Sequence, residues 1–238
     1  MENKVYFSIL GDSISTCIAY NPPGYAVYYD AEMLRSNRLT SARDTWWGKV
    51  ILTLRAGLCV NDSYSGSKVS GYSFPAAGSD ARLLRLRSAE RIPDVILIYA
   101  GFNDFASGVP IQNANVVHGV PDLAVFSDAY DAMLQNLRKL YPDTAVICGT
   151  LMRTQIQGNP FWDFPESGMG YSMEEYNQVI RQAAKKNGCL LADLGALGLR
   201  YETMDGSHPN AKGHQTLGDA WLTCLQALGF SPAENQSQ

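Results

Sequence analysis

The chain has 238 residues, 46% of them hydrophobic and 18% charged, with a formal net charge of −4. That length and apolar content suit one α/β domain with a sizeable core, and the mild acidity leaves no electrostatic case for a nucleic-acid partner. Five scattered cysteines (Cys17, Cys59, Cys148, Cys189 and Cys224), odd in number and without a C-x-x-C pair, argue against a disulfide framework or a cysteine-based zinc site.

In chain order, the opening "MENKVYFSIL" is too short before Gly11 to hold the basic and apolar regions of a signal peptide. A cytoplasmic protein is therefore expected, the alternative being a secreted one whose leader has been removed. The first strand is "VYFSIL" (about 5–10), followed by a helix in "DTWWGKVILTLRAG". There Asp44 caps, Trp47, Val50, Ile51 and Leu54 form the apolar stripe, and Gly57 stops the helix. A second strand, "LCVN" (58–61), precedes a helix at about 79–90. Its Leu83, Leu84 and Leu86 are read as inward-facing, with Arg82, Arg85, Arg87 and Arg91 on a solvated face. Then come "DVILIYA" (94–100), a helix at about 122–140, "TAVICGT" (144–150), a helix at about 172–187, "CLLADL" (189–194) and a last helix at about 210–228. Most of these strands are continuous apolar runs, as strands buried on both faces are. Strands alternating with helices predict a doubly wound parallel sheet in a three-layer α/β/α sandwich. One domain is expected over 1–230, with a frayed tail at 231–238. No window approaches the roughly 18 apolar residues of a spanning helix, so no membrane insertion is expected.

Three connections are unusually long: about 15–43, 101–121 and 151–171. Each follows the carboxyl end of a strand, the edge at which open α/β sheets bind ligands. The first contains "YNPPGYAVYY" and the third "QGNPFWDFPESGMGY". Their aromatics either pack the loops down or form a wall for an apolar or sugar-like substrate. The candidate wall residues are Tyr20, Tyr25, Phe102, Phe161 and Trp162.

The apolar first strand ends at Gly11-Asp12-Ser13. This reads either as an ordinary strand-to-helix turn or as a nucleophile held over the end of the sheet. Only three histidines compete for the role of general base. His118 lies in "NANVVHGVPD" with no acid placed beside it, and His214 falls inside the last helix, where a structural role is expected. His208 stands in "DGSHPNAKGH", fixed at a loop-to-helix boundary by Pro209. Asp205, three residues earlier, can fold back to meet the imidazole Nδ1–H. Ser13…Asp205…His208 is thus a plausible hydrolytic triad, because triads are defined by geometry and not by chain order. The G-x-S-x-G elbow of ordinary α/β-hydrolases is absent. Two stretches offer oxyanion donors: Gly66 in "NDSYSGSKVSG" and the Asn103 amide in "YAGFNDF". Each also reads as a simple loop former.

"GDS" after the first strand, a glycine in the second block, "GFND" in the third and "DGSHPN" near the end resemble, in that order, the SGNH (GDSL-type) hydrolases. The resemblance implies a flavodoxin-like five-stranded sheet, Ser13 as nucleophile, His208 as base and Asp205 as orienting acid. It also implies oxyanion donors from the Ser13 and Gly66 amides and the Asn103 side chain, with Gly71 and other nearby glycines competing with Gly66. The first block reads G-D-S-I where many members have G-D-S-L. The function implied is hydrolysis of small-molecule carboxylic esters through an acyl-enzyme, with no metal or cofactor. The long loops suggest short acyl groups and the polar aromatics a carbohydrate alcohol. The alternatives are a longer-chain lipase or thioesterase and an inactive carbohydrate-binding module. No G-x-G-x-x-G or Walker pattern favours a mononucleotide binder. The oligomeric state is left open.

Overall fold

In the strand β1 (Tyr6–Gly11), Phe7, Ser8, Ile9 and Leu10 are all buried. A strand shut in on both faces has no use for alternating polarity, and its one polar member, Ser8, satisfies its hydroxyl by donating to Leu86 O at 2.7 Å. The computed structural model describes residues 4–112, 120–159, 161–165 and 170–232. His118 and residues 233–238 of the expected tail lie outside them.

The other strands of the main sheet are β2 (Gly57–Ser63), β3 (Val95–Tyr99), β4 (Ala145–Gly149) and β6 (Leu190–Ala192). All pair in parallel, in the order β2-β1-β3-β4-β6. The chain runs outward one way from β1 to β2 and the other way from β3 to β6. The order therefore reverses between β1 and β3, where the crevice at the carboxyl ends of the strands opens. The flanking helices are α1 (Ala31–Ser36), α2 (Trp46–Thr53), α3 (Asp80–Leu83), α4 (Phe102–Ala106), α5 (Phe126–Leu140), α6 (Met173–Lys186) and α7 (Ala211–Ala227). α2 packs on α7, and α5 on α6. The result is the expected α/β sandwich around a five-stranded parallel sheet. Among the described residues no helix is long and apolar enough to cross a membrane.

Several local expectations are corrected. The 79–90 helix is only the four residues of α3 and a 3₁₀ turn at Leu84–Leu86. Within it Leu84 is exposed, and Arg82 is completely buried in an ion pair with Asp62. Its guanidinium also donates to the carbonyls of Asp62, Gly11 and Pro75. The cation thus points inward because three strand-end and loop carbonyls need a donor there. α2 is capped by Thr45, whose hydroxyl accepts from Gly48 N at 3.1 Å. Asp44 instead accepts from the Thr40 and Ser41 amides of the preceding turn. Gly57 opens β2 and does not stop α2, which ends at Thr53 with Leu54 as its cap.

A second sheet was not expected. β5 (Arg153–Ile156) and β7 (Arg200–Thr203) pair in parallel beyond the carboxyl end of β4. Each has four residues with an arginine first and only one apolar or aromatic side chain among them, too short and too polar to stand out as a strand.

Candidate active site

Ser13 begins a 3₁₀ turn directly after β1. Asp12 caps that turn, its Oδ1 accepting from Ile14 N at 3.0 Å. Burial pushes the Asp12 carboxyl up to about 7, against the lowering pull of the Ile14 amide and the nearby His208. Its Oδ2 has no partner among the described residues. Thr16 Oγ1 donates to Ser13 O at 2.9 Å and closes the turn.

From the opposite end of the chain, the loop between β7 and α7 brings His208 to the same point. His208 Nε2 lies 2.9 Å from Ser13 Oγ, and His208 Nδ1 lies 2.7 Å from Asp205 Oδ2. Asp205 Oδ1 accepts from the Ser207 and His208 amides at 2.9 and 2.8 Å, so the loop folds around its carboxylate. Partial burial raises the Asp205 carboxyl. The hydrogen bonds from the His208 ring and from the two amides outweigh that and hold it well below the ordinary carboxylate range.

The unexpected second sheet carries this loop. Thr203 at the end of β7 bridges to Pro209, closing the loop at its base. Gly206 donates to Thr203 Oγ1 at 2.9 Å and accepts from Thr154 Oγ1 of β5 at 2.8 Å. Tyr201 of β7 donates to Ser207 O at 3.1 Å.

The oxyanion side is built from the segments after β2 and β3. Tyr64 O accepts from Ser67 N at 3.1 Å, with Gly66 at φ +78° in the turn between them, a conformation that favours glycine. A Cβ on Gly66 would meet nothing within 4 Å, so that side of the turn is open. Among the described residues the Gly66 N–H has no acceptor. Gly71 N instead donates to Leu123 O at 2.7 Å, which leaves Gly66 the better placed of the two glycines. Asn103, in the first turn of α4, donates from Nδ2 to Ser67 O at 3.0 Å and keeps its second amide hydrogen. Its neighbour Asp104 accepts from Val69 N and Ser70 N at 2.7 and 3.0 Å. The two residues clamp one segment by opposite chemistry.

The expected wall residues fall in different places. Trp162 packs on Gly206, where a Cβ would come within 2.8 Å of its ring. Asp163 accepts from Arg153 of β5 and Arg200 of β7 at 3.0 and 3.1 Å, fixing this strap over the second sheet. Phe164 then covers Phe102 at 5.0 Å between ring centres, so Phe102 is 4% exposed and presents little surface to a ligand. Phe161 is 94% exposed. Tyr20 packs on Trp47, while Tyr25 bonds Asp62 and packs on Tyr64 and Phe74 beside the Gly66 turn. His214 is buried in α7 and accepts from Trp46 N through Nδ1 at 3.2 Å. Two site-adjacent residues, Tyr28 and Thr154, were not singled out from the sequence, since nothing near them in the chain marks them. Among the described residues there is no group of three or more His, Cys, Asp or Glu side chains that could hold a metal ion.

A sequence model of the GDSL-like lipase/acylhydrolase family matches residues 5–161. A multidomain esterase from Ruminococcus flavefaciens is 26% identical over 153 residues, covering 61% of this chain and 17% of that protein. The chain therefore spans about a sixth of the curated relative it matches. A protein assigned as a GDSL-like lipase from Bacteroides ovatus superposes with a TM-score of 0.71 at 23% identity, covering 95% of this chain and 100% of that one. A variant of an acetyl xylan esterase from Geobacillus stearothermophilus superposes with a TM-score of 0.58 at 22% identity, covering 99% and 100%. At these identities the two structures establish a common fold.

Proposed function

The chain belongs to the GDSL-like lipase/acylhydrolase family, and from its site we propose that it is a serine esterase working through an acyl-enzyme. The observation that carries this is the unbroken row from Ser13 Oγ to His208 Nε2 (2.9 Å) and from His208 Nδ1 to Asp205 Oδ2 (2.7 Å). Ser13 attacks the ester carbonyl as its proton passes to His208 Nε2. Asp205 keeps the other ring proton on Nδ1 and stabilises the imidazolium. The carbonyl oxygen becomes an anion, received by the Ser13 and Gly66 N–H groups and by the second hydrogen of the Asn103 amide. The imidazolium then gives its proton to the leaving alcohol. Water repeats the sequence against the acyl-enzyme and frees the acid.

The substrate class we propose is a short acyl group on a carbohydrate. Trp162, half-buried against Gly206 of the His208 loop, and the exposed Phe161 next to it in the chain support a sugar-binding wall there. The likeness to an acetyl xylan esterase is compatible with this. Rates on p-nitrophenyl esters from acetate to laurate, and acetate release from acetylated oligosaccharides, test the reading. Acetate should be preferred, and Ser13→Ala should abolish both turnover and labelling by an organophosphonate while leaving the fold intact. A maximum at long chains would make the protein a lipase-like acylhydrolase. Binding of oligosaccharides without turnover would make it an inactive module. Full turnover by a folded Ser13→Ala variant would overturn the nucleophile.

A further inference from the structure

The chemistry above needs the imidazole held in one plane while its charge changes, and Asp205 alone contacts only one edge of the ring. The face is covered by Tyr28, whose ring lies parallel to His208 with centres 3.5 Å apart and planes 9° apart. The Tyr28 hydroxyl donates to Asp205 Oδ2 at 3.0 Å, the same oxygen that meets His208 Nδ1 at 2.7 Å. At its other end, Tyr28 N donates to Thr16 Oγ1 at 2.9 Å, and that hydroxyl donates in turn to Ser13 O. One residue therefore touches the base and the acid and reaches the nucleophile's turn through a single hydroxyl. Nearby ties hold it there. Tyr29 donates to Pro209 O at 2.7 Å, and Ala211 N donates to Asn37 O at 2.8 Å.

Resting on the esterase reading, we propose that Tyr28 is a positioning residue of this site. Its ring face fixes the imidazole plane and favours the imidazolium that forms when Ser13 gives up its proton, and its hydroxyl anchors Asp205. A tyrosine face attracts a cation lying against it through the ring quadrupole. The hydroxyl works the other way: by donating to Asp205 it draws off part of the charge that stabilises the imidazolium. Burial, together with the charge of Asp205 and the bond to it, pushes the Tyr28 phenol up to about 12, so it remains a donor across the working range. The two halves of one side chain thus have opposite electrostatic effects on the base, which a purely structural residue would not.

The titratable groups facing the imidazole are Asp205 and Tyr28 in contact, Asp12 from the end of β1 and His214 from α7, with Tyr29 packed edge-on behind Tyr28 at 4.8 Å. Substituting Tyr28 leaves the others in place. Tyr28→Leu keeps an apolar side chain at this position but removes the π face and the hydroxyl. It should lower kcat about 10-fold with KM nearly unchanged, and place the midpoint of the acid limb of kcat/KM about 0.5 pH unit below that of Tyr28→Phe, which lacks the same hydroxyl but keeps the face. Tyr28→Phe keeps the stack and frees Asp205. It should retain most of kcat, keep a wild-type melting temperature and move the same midpoint upward. If Tyr28→Leu does not fold, the upward shift in Tyr28→Phe alone decides. Unchanged profiles in both variants, a Tyr28→Leu midpoint at or above that of Tyr28→Phe, or a rise in KM with kcat intact would each overturn the proposal. Ser13→Ala measured alongside separates the two failures: if it still turns over, the reading of the site is wrong, whereas if it is dead and both Tyr28 variants match wild type, only the role of Tyr28 is wrong.

Discussion

One hydrogen of the Asn103 amide is already engaged with Ser67 O, and the other remains for an incoming oxyanion. This double duty changes what substitutions can say about it. An aspartate at 103 would set a carboxylate against the Ser67 carbonyl as well as against the developing negative charge, so it harms the protein whichever role dominates. Asn103→Ala separates them. Losing a transition-state donor should cut kcat by about 10²–10³-fold with a much smaller change in KM. Losing only the loop tie should cost about 1 kcal/mol of stability and little rate. Steady-state kinetics with thermal melts on this one variant discriminate, and a lowered melting temperature with near-normal kcat would remove Asn103 from the oxyanion hole.

At the level of elements, the crevice depends on how strand ends are tied to one another. Arg82 is the tie on the β2 side. It leaves α3 to pair with Asp62 on β2 and to donate to Gly11 O, the last carbonyl of β1 before Asp12-Ser13. Both partners of the ion pair are fully buried. Removing one leaves a buried, unpaired charge, so Arg82→Met should cost about 3–5 kcal/mol. The double variant Arg82→Met/Asp62→Leu should recover only part of that loss: the unpaired charge is gone, but the carbonyls of Gly11, Asp62 and Pro75 still lack their donor. Urea unfolding of the single and double variants measures this. A single variant within 1 kcal/mol of wild type would mean the pair is not a structural tie. The β5–β7 sheet plays the matching part on the other side, holding Gly206 and Ser207 by side-chain and backbone bonds.

For the whole molecule, the buried His214 sets a condition on pH. Its Nδ1 accepts from Trp46 N at the start of α2, so the folded state requires the neutral ring. Burial pulls its pKa down to about 3 from 6.5, with the nearby charge of Asp44 opposing. Between those values the unfolded chain binds a proton that the folded chain refuses, so stability falls as the pH drops through that window. Asp12 acts in the opposite direction: pushed up to about 7, it contributes stability at low pH that is lost as the pH rises from about 4 to 7. The wild-type curve mixes both effects, and a difference measurement isolates one. His214→Gln keeps an acceptor for Trp46 N without the titration. Relative to this variant, wild type should lose about 3 kcal/mol between pH 6.5 and 4. Denaturant titrations at several pH values would show it, and a constant difference would mean that His214 is not the acid-sensitive group.

The sequence by itself determined the features whose causes are local. Short continuous apolar runs rich in β-branched and aromatic residues fit strands covered on both faces, so the five-stranded parallel sheet was legible from Phe7–Leu10 and Val95–Tyr99 onward. The Asp205–His208 contact was equally legible, since the acid sits one turn before the base and Pro209 fixes the exit of the loop. The tertiary structure alone decided what depends on distant partners. Arg82 looks like any exposed arginine until the carbonyls of Gly11, Asp62 and Pro75 are assembled around it. β5 and β7 are too short to announce themselves, and they become strands only because each supplies the other's hydrogen bonds. Tyr28 is one of several tyrosines in an aromatic loop, and nothing near it in the chain distinguishes it. It meets His208 only after packing has brought the two ends of the chain together, because a stacked ring needs a partner at van der Waals range and sequence separation carries no such information.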